Sequence, residues 1–258
     1  MTPISVVIIT LNEEKNIERC IRSVNRIADE IIVVDSLSKD KTVSIAESLG
    51  AKVISQSFLG YVAQKNFAAQ QASHDWVLSL DADEALSPEL EQNIIQIKQQ
   101  SKHNGYRLCR RTNYCGHWIK HCGWYPDKKL RLYNRNKATW LGEKIHERLE
   151  MNDTNDSVGE LSGDLLHYSY YTISDHIKQI ENFTELTSRE AVERGNDVNV
   201  LMIMIAPKWK FFSDYIIRLG FLDGLAGYQV CRLSAMATFI KYSKIKQYAK
   251  SKREGKPY

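Results

Sequence analysis

The sequence predicts an α/β fold: a mostly parallel sheet with helices on both faces, followed by a helical C-terminal extension. Three observations carry the prediction. Apolar, β-branched runs recur at residues 4–10, 30–34, 52–54 and 76–80, the pattern of strands buried on both faces. Helical patterns separate these runs, and strands that alternate with helices pair in parallel. From residue 174 the chain reads as mostly helical. With 258 residues and 43% hydrophobic content, the chain has material for a sizeable core. One α/β domain over residues 1–172 with a basic helical appendage over 173–258 is expected.

Each element has a local reason. The first strand, ISVVIIT, is a continuous β-branched run. Ile17, Ile21 and Val24 fall at helical spacing within residues 14–27. A second buried strand covers 30–34, and a helix over 40–49 stops at Gly50. Residues 52–54 form a short strand, 61–72 a helix and 76–80 another strand. Ser87-Pro88-Glu89 starts the next helix: serine caps it, proline suits its first position and glutamate its first turn. Leu90, Ile94 and Ile97 make its apolar stripe. Beyond residue 104 the pattern changes. Residues 105–114, 129–133 and 164–169 read as strands without long helices between them, and 151–163, MNDTNDSVGELSG, reads as a polar loop.

Composition narrows the setting. The apolar run at 4–9 is too short for a signal peptide and has no basic flank. No stretch approaches a bilayer span, since the run at 201–206 stops at Pro207. Five cysteines without an export signal suggest reduced thiols in a cytoplasm. The net charge of +4 is uneven: residues 201–258 carry 11 Lys/Arg against 3 Asp/Glu. Such a tail is expected to face something anionic, for which the inner face of the cytoplasmic membrane is one candidate. No nucleic-acid partner is expected.

The candidate site comes from strand ends. In an open parallel sheet, ligands bind in the crevice beyond the carboxyl ends of the strands. Three polar segments fall at such ends: Thr10-Leu11-Asn12-Glu13, Asp35-Ser36-Leu37-Ser38 and Asp81-Ala82-Asp83. Carboxylates two residues apart on a rigid strand end suit Mg²⁺ or Mn²⁺, which fills its shell with water and phosphate oxygens. The sequence lacks G-x-G-x-x-G after the first strand and lacks a Walker A loop, against a dinucleotide oxidoreductase and a P-loop NTPase. A metal, a diphosphate and no glycine-rich cradle point to a nucleotide sugar.

The segments SVVIITLNEE, IIVVDSLSKDKT, GYVAQKNFA and WVLSLDADE, in this order, resemble family 2 inverting glycosyltransferases of the Rossmann-like GT-A fold. HCGWYPDKKLRLY, WLGEKIHERL and LLHYSY extend the resemblance to lipopolysaccharide inner-core glucosyltransferases. The resemblance implies transfer of a hexose, glucose first, from a UDP-sugar to an inner-core heptose of a lipid-linked saccharide. It further implies that Thr10, Leu11 and Glu13 hold the uridine and ribose, and that Asp35 accepts from uracil. Lys65 would lie near the nucleotide, Asp81 would face ribose or sugar, and Asp83 and His167 would hold the metal. Ser36-Leu37 stands where the family usually has a second acid or a glycine-rich turn. Trp124, Tyr125 and Arg131 would lie on the acceptor side.

Inversion also needs a carboxylate to take the acceptor proton. Glu147, downstream of the Asp-x-Asp, is the first candidate and Asp127 the second; Asp127 could instead bind sugar. Cys115, His117, His121 and Cys122 have partial zinc-like spacing, but a loop shaping the acceptor side accounts for them better. Trp209, Phe212, Tyr215, Ile216 and Leu219 form a helical apolar stripe that suits either core packing or a membrane surface. Two rival readings are a nucleotidyltransferase making a nucleotide sugar and a non-catalytic nucleotide-sugar-binding protein. The first usually has a glycine-rich basic loop after strand one, where this chain has Leu11-Asn12-Glu13.

Overall fold

The structure, a computed structural model, describes residues 1–142 and 147–258. It contains two compact units, one of residues 1–111 and 126–168, the other of 112–125 and 169–258.

The first unit begins with β1 (Ile4–Thr10), α1 (Ile17–Val24), β2 (Glu30–Asp35), α2 (Thr42–Ser48), β3 (Lys52–Ser55), α3 (Tyr61–Gln70) and β4 (Trp76–Asp81). It continues with β5 (Glu84–Leu86), α4 (Pro88–Gln99) and β6 (Gly105–Tyr114), whose last residues belong to the second unit, as does β7 (His117–Trp118). Then come β8 (Asp127–Asn134), β9 (Ala138–Leu141), β10 (Arg148–Met151) and β11 (Val158–Tyr170). The sheet runs β3-β2-β1-β4-β8-β6-β11-β5, with β7 on β6, and β9 and β10 form a separate ribbon. The sheet is parallel from β3 to β4, and β4–β8, β8–β6 and β11–β5 pair antiparallel, so the sheet as a whole is mixed.

Alternation explains the continuous apolar strands. Val6 and Ile8 of β1 face a layer containing Ile17, Ile21, Leu90 and Ile94. Val7 faces the opposite layer, with Ala68, Trp140 and Leu149. Each such residue contributes about 1.5–3 kcal/mol by leaving water, and the buried Ser5 is accommodated by donating to Glu30 at 2.7 Å. The register sets the strand ends level: Thr10 lies opposite Asp35, and Ile9 opposite Asp81.

Helix α4 starts as its sequence predicts, with Ser87 Oγ accepting the Leu90 N–H at 3.2 Å. The same oxygen accepts from Asp164 N at 2.9 Å, which ties α4 to β11. Two elements differ from the sequence reading. The helix expected over 14–27 is shorter, because residues 13–16 close a turn through Asn16 N and Glu13 O at 2.9 Å. The polar loop expected over 151–163 becomes β11 from Val158 onward. Gly159 is pressed there against Tyr106: a Cβ would stand 2.8 Å from its ring.

The second unit holds α5 (Ile173–Glu193), α6 (Val200–Phe212) and α7 (Gly224–Arg253). A reciprocal cap between Thr172 and Asp175 starts α5. One core cluster gathers Tyr114, Ile119, Cys122, Tyr170, Val230 and Cys231; another holds Val192, Ile245, Tyr248 and Ala249. His176 lies 3.3 Å from Tyr114 Oη, and burial lowers its pKa to about 4, so it is neutral at neutral pH. Glycine is required at position 227, where a Cβ would stand 2.0 Å from the Gly220 carbonyl oxygen. Among the described residues no helix is long and apolar enough to cross a membrane.

Candidate active site

The loops after β1 and β2 are stitched together. Asn12 adopts a left-handed conformation, φ 55°. Its N–H donates to Ser38 Oγ at 2.8 Å, and its side chain accepts from Lys39 N at 2.8 Å. Glu13 N–H donates to Thr42 Oγ1 at 2.8 Å. Asp35, 1% exposed, accepts from Ser38 N at 2.9 Å and also from the Ser38 hydroxyl. Leu37 turns left-handed at φ 68°, and Ser36 Oγ accepts from the buried Gln64 at 3.2 Å. The turn at Ser36-Leu37 therefore forms without glycine. Thr10 is buried, and among the described residues its Oγ1 has no hydrogen-bond partner, while Leu11 is exposed. Burial raises the Glu13 carboxyl above its ordinary pKa; a hydrogen bond from Asn16 opposes this, and the nearby Asp83 and Asp40 add to it.

Beyond β4 the charges alternate in sequence through space. Lys65, projecting from α3 and only 1% exposed, places Nζ 3.1 Å from Asp81 and 3.5 Å from Glu147. The same ammonium sits 4.6 Å above the Trp140 ring centroid. Arg131, from β8, reaches Asp81 and Glu84 at 3.1 Å each. Glu84 in turn accepts the Asp81 N–H at 3.0 Å and lies 3.6 Å from Arg110. Arg110 meets Asp127 at 2.8 Å, and Lys129 takes the other Asp127 oxygen at 3.1 Å. Burial acts against the Asp81 charge, but Lys65 and Arg131 outweigh it and hold its carboxyl well below the usual range. The carboxylates push the Arg131 guanidinium the other way, further up, despite its burial.

Asp83 lies at the turn between β4 and β5. Its carboxylate is 3.2 Å from His167 Nε2, and its carbonyl accepts from Tyr168 N at 2.9 Å. The β5–β11 register, His167 opposite Glu84, fixes this approach. A carboxylate and an imidazole are a donor set that Mg²⁺ or Mn²⁺ accepts when water and diphosphate oxygens supply the other positions. Among the described residues no group of three or more His, Cys, Asp or Glu side chains gathers to hold a metal.

Lys65, Asp81 and Glu147 thus come together, as do Asp83 and His167; Thr10, Asp35 and Asp81 share one edge of the sheet. Arg131, expected on the acceptor side, is 3% exposed and bound to Asp81 and Glu84. Trp124 belongs to the second unit, where its ring centroid is 5.6 Å from Tyr170 and 5.5 Å from His176. Tyr125 is in the same unit. There His121 and His117 approach the buried Asp223 carboxylate at 3.2 and 3.8 Å, so the histidines of the zinc-like segment are turned to an acid. Residues 143–146 of the WLGEKIHERL segment lie outside the described residues. Sequence reasoning assigned nothing to Glu84 or Arg110. Glu84 was visible as a third acid after the strand; Arg110 carried no signal.

Replacing Arg131 tests how the cluster is held. Arg131→Met strands two carboxylates, one of them fully buried, and is expected to lower stability by about 3–5 kcal/mol. Denaturant unfolding would measure it. An unchanged midpoint would mean that Lys65 and Arg110 alone neutralise Asp81 and Glu84.

The acids converge on the carboxyl ends of the parallel strands, where open α/β sheets bind their ligands. The family model for Glycosyl transferase family 2 matches residues 5–149, and the chain belongs to that family. Its α/β sheet is the GT-A fold that the motifs predict. An uncharacterized glycosyltransferase of Rickettsia typhi is 34% identical over 98% of this chain and 90% of its own length. The lipopolysaccharide core biosynthesis glycosyltransferase LpsC of Rhizobium meliloti is 30% identical, over 95% of this chain and 92% of that protein. Among solved structures, glucosyl-3-phosphoglycerate synthase from Mycobacterium tuberculosis, in complex with Mn²⁺, UDP-glucose and phosphoglyceric acid, is 27% identical. That match covers 44% of each chain, with a TM-score of 0.36.

Proposed function

We propose that this family 2 glycosyltransferase moves a hexose, glucose first among candidates, from a UDP-sugar to an inner-core heptose of a lipid-linked saccharide, with inversion. The observation that carries the reading is the buried Lys65, which ties Glu147 to Asp81 at the ends of the parallel strands. The likeness to LpsC supports the lipopolysaccharide-core acceptor.

In this reading Thr10, Leu11, Glu13 and Asp35 bind the uridine, and Asp81 takes a ribose or sugar hydroxyl. Asp83 and His167 hold Mg²⁺ or Mn²⁺, which when bound neutralises charge on the departing diphosphate. The acceptor hydroxyl attacks the anomeric carbon from the face opposite the diphosphate. The bond from that carbon to the acceptor oxygen forms as the bond to the diphosphate oxygen breaks. The transition state has oxocarbenium character, as in glycoside hydrolysis. Glu147 receives the hydroxyl proton. Lys65, 3.5 Å away, positions that carboxylate before the acceptor arrives.

A donor panel tests the proposal. The purified chain, with Mn²⁺ and a heptose-terminated lipid-linked core, should transfer hexose from UDP-glucose in preference to GDP- or CDP-sugars. Thermal shifts should follow the same order, because a ligand that binds only the native state raises its melting temperature. A tighter grip on GDP or CDP would sink the uridine assignment. Transfer to non-saccharide acceptors alone would sink the acceptor.

A further inference from the structure

Helix α6, VLMIMIAPKWKFF, has no buried residue. Leu201, Met204, Ile205 and Trp209 are each more than 50% exposed. Exposed apolar side chains recur after the helix at Ile217, Leu222 and Leu225, the last 72% exposed. Scattered exposed leucines need no explanation, but this many large apolar side chains left open within one short stretch of chain point to an interaction site.

Charge identifies the occupant. The only acids between residues 200 and 232 are Asp214 and Asp223. They are 1% and 5% exposed. Asp214 is bound by Lys210 at 2.9 Å and Arg218 at 3.4 Å, and Asp223 accepts the His121 N–H at 2.8 Å. All the outward charge of this stretch is therefore positive, from Lys208, Lys210, Arg218 and Arg232. Their stems can lie along apolar surface while their heads reach headgroup phosphates. Farther along α7, Lys244 pairs with Glu185, and Lys246 and Arg253 pair with Asp197.

Geometry fixes the mode. The helix has 13 residues, about 20 Å at 1.5 Å per residue, against about 30 Å for a hydrocarbon core. It is too short to span. An apolar helix with a tryptophan and basic neighbours instead lies in the interface plane, sunk about 5–10 Å. A two-fold dimer through the same face would bring two surfaces of like positive charge together.

We propose that α6 and the segment 216–225 form a docking surface that inserts in-plane into one leaflet of an anionic bilayer. The inference goes beyond the proposed reaction, since it depends on neither donor nor acceptor.

Vesicle flotation of the full chain tests it. Vesicles of phosphatidylethanolamine and phosphatidylglycerol should carry the protein, and phosphatidylcholine vesicles should carry much less. Trp209 emission should shift to the blue on binding; Trp209→Phe should bind but lose most of that shift. The double variant Ile205→Glu/Trp209→Glu changes two exposed side chains, so it should fold, and it should partition at least about tenfold more weakly. Its hydrolysis of UDP-sugar by water, measured without vesicles, should stay at the wild-type level, which separates a failed surface from a failed glycosyltransferase assignment. Equal partition of wild type and double variant would overturn the proposal, as would equal binding to neutral and anionic vesicles. So would a stable dimer that the double variant dissociates while neither form floats.

Discussion

Glu147→Gln is expected to lower kcat by roughly 10²–10⁴-fold and to leave UDP affinity nearly unchanged, the signature of lost proton transfer. The amide keeps the shape of the side chain and cannot take the acceptor proton. Structural damage should be small. Glu147 is about a quarter exposed, with a single described ion pair, to Lys65 at 3.5 Å, and a partly solvated pair contributes about 1 kcal/mol at most. Asp127 is the comparison. Arg110 and Lys129 engage both of its oxygens, which leaves less room for an incoming hydroxyl. Asp127→Asn should therefore alter KM more than kcat. If Asp127→Asn instead gives the kcat loss and Glu147→Gln does not, the two roles exchange.

Asp83→Ala should cut turnover by at least about two orders of magnitude, with melting temperature close to wild type. A metal contributes several kcal/mol of transition-state charge stabilisation, and each 1.36 kcal/mol is about tenfold in rate. Asp83 sits outside the apolar clusters and is bonded to His167 at 3.2 Å, so the core does not depend on it. Two readouts besides turnover follow. Mn²⁺ should raise the melting temperature of the wild type in the presence of UDP and fail to do so for the variant. EDTA should abolish wild-type transfer, and added Mn²⁺ should restore it. Wild-type turnover in Asp83→Ala, or indifference to EDTA, would remove Asp83 from the metal site.

The parallel half of the sheet was legible because both faces of β1, β2 and β4 are largely buried, so their sequences are mostly apolar, interrupted inside only by the small Ser5 and Ser79. The site was legible where polarity interrupts those runs, at Thr10, Asp35 and Asp81, since register alone brings strand ends level. What could not be read is long-range. Arg131 lies 50 residues from Asp81 in the chain and reaches it at 3.1 Å. That pairing follows from β8 joining β4 antiparallel, which no local pattern announces. β5 is three residues long, too short to display a period, so Glu84 read as one more loop acid. Along α6 the ambiguity was physical: an apolar helix packed in a core and one lying open have the same composition, and only the exposure of Leu201, Met204 and Trp209 separates them.

The chain of opposite charges from Glu147 through Lys65, Asp81, Arg131, Glu84 and Arg110 to Asp127 has an evolutionary consequence. Lys65, Arg131 and Glu84 are shielded from water, and each inner member answers to two neighbours, so a lone change of sign at any of them is penalised. Descendants of this gene should alter positions 65, 81, 84, 110 and 131 together or hardly at all. Lys129, on the exposed flank of Asp127, is free to drift. Comparing many descendants should therefore reveal correlated substitution among those five positions, even though 65 and 131 stand far apart along the chain.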